Sequence, residues 1–205
     1  MLELKSVVCT RGGRELFEGV SMRLSPGQLL RVTGVNGAGK TSLLRSLCGL
    51  MTPSDGKVLW QGADVDKLRD EYNRQLIYVG HATALKDDLS ATENLQTSST
   101  LGGSSVTASA AQQALAQAGL KGRERVPARN LSQGQRRRVA LARLVLGSAA
   151  TLWILDEPFN ALDTAATDWL LGLITQHLAQ GGMVVLTSHQ PVALPESVQQ
   201  VVLAL

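Results

Sequence analysis

The chain has 205 residues, of which 44% are apolar and 18% charged, enough to core one domain with a subdomain and too few for two independent ones. Its net charge of +3, pI of about 9.1 and 3% aromatics lack the dense charge and interleaved rings of a nucleic-acid binder. Cys9 and Cys48 make neither a metal-ligand spacing nor a disulfide framework, no run reaches about 18 apolar residues, and the first residues lack the apolar core of a signal peptide. A soluble or membrane-peripheral cytoplasmic chain with reduced thiols is therefore expected.

In chain order, the first stretches read as strands. "LELKSVVC" (2–9), "LFEGVSMRL" (16–24), "LLRVTG" (29–34) and "KVLWQG" (57–62) are apolar or alternating runs punctuated by Gly-Gly, Pro-Gly and Asp-Gly. Between the last two, "KTSLLRSLCGL" (40–50) sets Leu43, Leu44, Leu47 and Leu50 at helical spacing. "LIYVG" (76–80) reads as a buried strand. From Ser90 the character turns helical. "SATE" carries a capping-box pattern, "TASAAQQALAQAG" (107–119) ends at a helix-stopping glycine, and "QRRRVALARLVLG" (135–147) follows "LSQG". The continuous apolar runs "TLWIL" (151–155) and "MVVLTS" (183–188) are those of buried parallel strands, with the helical "AATDWLLGLITQHLAQ" between them. The order predicts a parallel α/β core interrupted by a helical insert over roughly 82–150.

Three stretches carry chemistry. "GVNGAGKTS" (34–42) fits G-x-x-x-x-G-K-[ST] between a predicted strand and helix. Its glycines let successive amides converge on phosphate oxygens at a helix N-terminus. Lys40 would reach the β- and γ-phosphates, and Thr41 would offer a hydroxyl to Mg²⁺. "TLWILDEP" ends a strand in Asp156 and Glu157. Successive strand side chains diverge, so Asp156 suits the Mg²⁺ shell and Glu157 a base that polarises attacking water. An adjacent glutamate favours hydrolysis over transfer to a second substrate. In "LSQGQ" (131–135), Ser132 and Gln135 make an S-x-x-Q capping box. Gly134 has no helix-propensity reason to stand there, and an exposed hydroxyl with free amides can equally form an anion site.

Together these motifs resemble the ATP-binding-cassette (ABC) ATPases over essentially the whole chain. "GVNGAGKTS" looks like their Walker A loop, "LSQGQ" their signature and "TLWILDEP" their Walker B strand. "NALD" (160–163) resembles the D-loop, and His189 in "LTSHQP" stands at the switch-histidine position. The resemblance implies a P-loop NTPase core with a parallel sheet, an N-terminal antiparallel β-subdomain and a helical subdomain. It implies one ATP-binding domain over 1–205, with its core at about 1–81 and 151–205. Residues Gly34, Val35, Asn36, Gly37, Ala38, Gly39, Lys40, Thr41 and Ser42 would hold ATP, with Thr41 and Asp156 on Mg²⁺ and Glu157 and His189 in hydrolysis.

In that family two chains pack head to tail. Leu131, Ser132, Gln133, Gly134 and Gln135 would then face ATP on a second copy, with Asp163 at the interface. Arg136, Arg137 and Arg138 would form the charged face of the following helix. Two positions depart from the pattern. His81 replaces the glutamine at the lip of the insert and would answer to pH near neutrality. Arg11 stands where a ring usually lies under adenine, and its guanidinium can stack on a base. Finer phrasing, "YVGHATALKDDLSATENL" and "LWILDEPFNALD" among it, is similar to the ATP-binding subunits of cytochrome c maturation systems. That implies haem export or handling, a separate CcmB-like integral membrane subunit, and a place at the cytoplasmic face of a bacterial inner membrane. An ABC ATPase subunit of a different export system, a soluble ABC-type assembly ATPase without a membrane channel, and a P-loop small-molecule kinase are the alternatives.

Overall fold

The structure, a computed structural model, describes residues 1–147, 150–188, 191 and 193–205. Strands β1 (Leu2–Arg11), β2 (Arg14–Leu24), β4 (Asp55–Trp60) and β5 (Ala63–Asp64) form an antiparallel sheet in the order β2-β1-β4-β5. Strands β3 (Gln28–Thr33), β6 (Leu76–Val79), β7 (Leu152–Leu155), β8 (Met183–Thr187) and β9 (Gln199–Ala204) form an all-parallel sheet in the order β6-β7-β8-β3-β9.

The alternation of strand side chains divides the core. In β7, Leu152 and Ile154 join a cluster with β1, β4 and helix α1 (Lys40–Leu47). Trp153 and Leu155 point the other way, toward α5 (Gln133–Leu146) and α6 (Thr164–Ala179). Both faces of a parallel strand are thus buried, which is why its sequence is continuously apolar. A third cluster joins α3 (Ala91–Leu101), α4 (Ala108–Gln117) and α5. Helix α5 serves two clusters at once: Val139 and Ala142 face the helices, while Ala140, Leu141 and Leu144 face the sheet.

Several local expectations change. Helix α2 (Val65–Asn73) was not legible, because only Val65 and Tyr72 of it are buried. The helix after the phosphate loop stops at Leu47, and Leu50 is exposed rather than in phase with it. The strand β9 pairs with β3 from Gln28↔Gln199 to Thr33↔Ala204. Both cysteines are buried. Burial pushes the Cys9 thiol up against smaller opposing effects of Ser42 and Arg11. Burial, with the Asp156 charge second, pushes Cys48 far above its ordinary range.

At the amino end of β7, the Trp153 ring stacks on His177 with centroids 3.9 Å apart and planes 6° from parallel. Burial holds the His177 imidazole below its ordinary value, with backbone hydrogen bonding at Met183 and Thr151 pulling the other way. The unfolded chain therefore binds a proton at a pH where the folded chain does not. Stability is complete above the ordinary imidazole range near 6.5 and falls as pH drops toward the depressed folded value. Thermal melts at pH 7.5 and 5.5 should show a drop in Tm for the native chain that is smaller in His177→Phe, which keeps a stacked ring and cannot titrate. Equal drops in both would remove His177 from the acid sensitivity.

Candidate nucleotide-hydrolysis site

The carboxyl ends of β3, β8, β7 and β6 lie on one edge of the parallel sheet, where open α/β sheets gather ligands. The loop leaving β3 runs into α1, whose N-cap Gly39 has φ 100° and gives no side-chain cap. A Cβ at Gly39 would stand 2.9 Å from the Phe17 ring, so only glycine fits. The amides of the first α1 turn are left for an external acceptor. Lys40 is 8% exposed, and its Nζ donates to the carbonyls of Gly34 (2.7 Å) and Val35 (3.0 Å). That holds the ammonium against the loop it would serve.

From β7, Asp156 is 2% exposed and accepts at both oxygens. Thr41 Oγ1 donates to Oδ2 at 2.8 Å, and Thr187 Oγ1, from the end of β8, donates to Oδ1 at 2.8 Å. Thr187 Oγ1 in turn accepts from the Glu157 amide at 2.7 Å. A chain of hydrogen bonds thus crosses from α1 through Asp156 and β8 to Glu157. Glu157 itself adopts φ 48°, a left-handed conformation uncommon for a residue with a side chain. Asn160 Nδ2 donates to its Oε2. Thr187 was missed in the sequence; its tie to Asp156 exists only once β8 lies beside β7.

A cleft of about 290 Å³ is bounded by Arg11 and Leu16 of the first hairpin, by Asn36, Gly37 and Gly39 of the loop, by Lys40, Thr41 and Ser42 of the helix, and by Glu157. Arg11 therefore shares a cavity with the phosphate loop. Glu157 also borders a second cleft of about 440 Å³ with Phe159, Asn160, Ala161 and Leu162.

The signature turn lies elsewhere: none of residues 131–135 lines the phosphate-loop cleft. Leu131 is buried in the helical cluster, while Ser132 and Gln133 are exposed. Ser132 N–H donates to Gln135 Oε1 at 2.9 Å, and Gln135 N–H donates to Ser132 Oγ at 3.2 Å, completing the capping box. Capping uses only a lone pair of the hydroxyl and leaves its hydrogen to donate. Gly134 has an in-chain reason as well. A Cβ there would lie 2.6 Å from the carbonyl oxygen of Ala161. Asp163 caps α6 through the Ala166 amide at 2.9 Å and accepts from Arg138 at 3.3 Å. His81 is exposed just after β6, and His189 lies outside the described residues.

The expectation of a single charged face at 136–138 does not hold. Arg136 turns to Asp87 and the Ala128 carbonyl, and Arg138 to Asp163. Arg137 is 4% exposed and points inward. Its Nη1 donates to Gly80 O (2.7 Å), its Nη2 to Asp156 O (2.7 Å) and Glu157 O (2.9 Å), and its Nε to Pro158 O (3.3 Å). A signal was available, since Arg137 stands in phase with Leu141 and Leu144 on the apolar stripe.

The described residues contain no group of three or more His, Cys, Asp and Glu that could hold a metal. A lone hydroxyl–carboxylate pair beside a phosphate loop instead suits a hard cation completed by substrate oxygens and water.

Comparison with known proteins gives a family and a fold. The ABC transporter family model matches residues 17–160. The "Cytochrome c biogenesis ATP-binding export protein CcmA" of Nitrosomonas europaea is 50% identical over 194 residues, 95% of this chain and 91% of that protein. The protein of the same name from Escherichia coli K12 is 49% identical over 96% of this chain and 93% of its own. A putative ABC transporter ATP-binding protein from Pyrococcus furiosus has a TM-score of 0.82 at 23% identity, covering 98% of this chain and 96% of that one. An ATP-binding cassette solved as a dimer after hydrolysis, with ADP and Pi, has a TM-score of 0.81 at 24% identity, covering 93% and 88%. The last two likenesses are likenesses of fold.

Proposed function

The chain belongs to the ABC transporter ATP-binding family and is an ABC-type ATPase, and from that premise we propose that it energises an export complex for c-type cytochrome biogenesis. The observation that carries this reading is the identity of about half of all residues over 95% of the chain with relatives so named. On this reading the cargo chemistry is haem export or handling. A separate CcmB-like integral membrane subunit would supply the passage, and the chain would sit at the cytoplasmic face of a bacterial inner membrane. No helix among the described residues is long and apolar enough to cross a membrane. The division into a core (about 1–81 and 151–205) and a helical subdomain (about 82–150) is supported by the separate cluster of α3, α4 and α5.

For hydrolysis, residues 34–42 would hold the ATP phosphates through backbone amides, with Lys40 moving from the Gly34 and Val35 carbonyls to phosphate oxygens. Arg11 would lie along the base. Thr41 and Asp156 would hold Mg²⁺, which when bound offsets phosphate charge. Glu157 would accept the proton of the water whose oxygen attacks the γ-phosphorus while the bond to the bridging oxygen breaks. His189 would contact the γ-phosphate. Ser132 and Gly134 of a second copy, flanked by Leu131, Gln133 and Gln135, would cover it, with Asp163 near the interface and His81 at the insert lip.

Purification from gently solubilised membranes tests the assignment. A polytopic membrane protein should accompany the chain in stoichiometric amount. A wholly cytosolic chain with no such partner would favour a soluble assembly ATPase and sink the export reading.

A further inference from the structure

We propose that Arg137 is a positioning residue for hydrolysis, setting the turn that carries Glu157 and tying it to the signature end of α5. The proposal rests on the assignment of Glu157 as the base and of the signature to the ATP of a second copy. The geometry supplies the rest. Four of the five N–H groups of a guanidinium go to backbone carbonyls at the ends of two neighbouring strands: Gly80 beyond β6, and Asp156, Glu157 and Pro158 beyond β7. The Glu157 residue is bracketed, with its amide on Thr187 and its carbonyl on Arg137. A left-handed residue persists only where its surroundings over-determine it, and these two bonds do so.

Cohesion alone does not call for this arrangement. Burial works against the charge of Arg137, and the nearby carboxylates of Asp156 and Glu157 only offset it. Leucine fills the same stripe at 141 and 144. Burying a cation among neutral carbonyls is costly where an apolar side chain could pack. The planar fork of arginine is what reaches several acceptors at once.

Position along α5 gives the coupling. Ser132 caps the helix that carries Arg137, and Gly134 lies against Ala161 in the turn after Glu157. One rigid helix end would therefore meet the ATP of one site and hold the base of the other. A shift of α5 when its signature engages a second copy would move the Glu157 turn in the same chain.

The test uses full-length Arg137→Met, which keeps most of the buried volume and loses the fork. Its kcat for ATP should fall about 10- to 100-fold, the scale of small misplacements in an active site. KM and nucleotide affinity should stay within about twofold. A folded Arg137→Met with native kcat, or with an equal loss of nucleotide affinity, would overturn the proposal. If that variant does not fold, Arg137→Lys is read for the same split, with an intermediate loss expected and native kcat again overturning it. Combined with Ser132→Ala, the losses should be less than multiplicative, whereas independent losses would refute the coupling. Glu157→Gln run alongside separates the two levels. If it turns over normally, the underlying reading fails. If it is slow while Arg137→Met is normal, only this proposal fails.

Discussion

Glu157→Gln should bind ATP with near-native affinity, hydrolyse it at least about 100-fold more slowly, and accumulate as an ATP-dependent dimer. The expected rate rests on the proposed role of Glu157 as general base, a role that contributes on the order of 10² to 10⁴. Retained binding follows from the separation of tasks in the site. The phosphate loop, Lys40 and the Thr41–Asp156 pair do not rely on the Glu157 carboxylate. The turn itself is held through the backbone by Thr187 and Arg137, and an amide still offers an oxygen to Asn160. On the proposed reading, ATP that is bound and not consumed would keep two copies together. Single-turnover hydrolysis and size-exclusion chromatography with and without ATP read both parts. Turnover within a few-fold of native would remove Glu157 from the base role.

Ser132→Arg and Lys40→Ala chains should each be almost inactive alone and regain activity when mixed. Ser132→Arg crowds the exposed signature turn, while Lys40→Ala removes the ammonium from the phosphate loop. With head-to-tail symmetry, both defects in a mixed dimer fall on one site and the other site is intact. Random mixing makes half of all dimers mixed, each with one working site of two, so recovery approaches about a quarter of native turnover if sites act independently. If one chain completed its own site, each mutant would disable itself and the mixture would stay silent. Within one chain, none of residues 131–135 lines the phosphate-loop cleft.

Features encoded locally are legible in the amino-acid sequence alone. The phosphate loop, the strand ending in Asp156 and Glu157, and the capping boxes at Ser90 and Ser132 each depend on residues within a few positions. The all-parallel sheet is legible as a class because strands buried on both faces have continuous apolar runs. What cannot be read there depends on contacts between distant segments. Thr187 matters because β8 runs between β3 and β7. Strand β9 finds its partner 171 positions earlier, at Gln28. Helix α2 buries too little to show a periodic stripe. The arginine run misleads for a related reason: adjacent helix residues point about 100° apart, so like charges in sequence reach Asp87, the buried carbonyl cradle and Asp163 in turn.

The interior position of both thiols has a practical side. With Cys9 and Cys48 buried and their ionisation suppressed, the native chain should be nearly silent toward maleimides and thiosulfonates, since the thiolate is the reacting species. A cysteine engineered at exposed Gln133 would then be the one reactive handle on the molecule. Spin labels or fluorophores placed there could follow the approach and separation of two copies without first stripping the natural cysteines from the core.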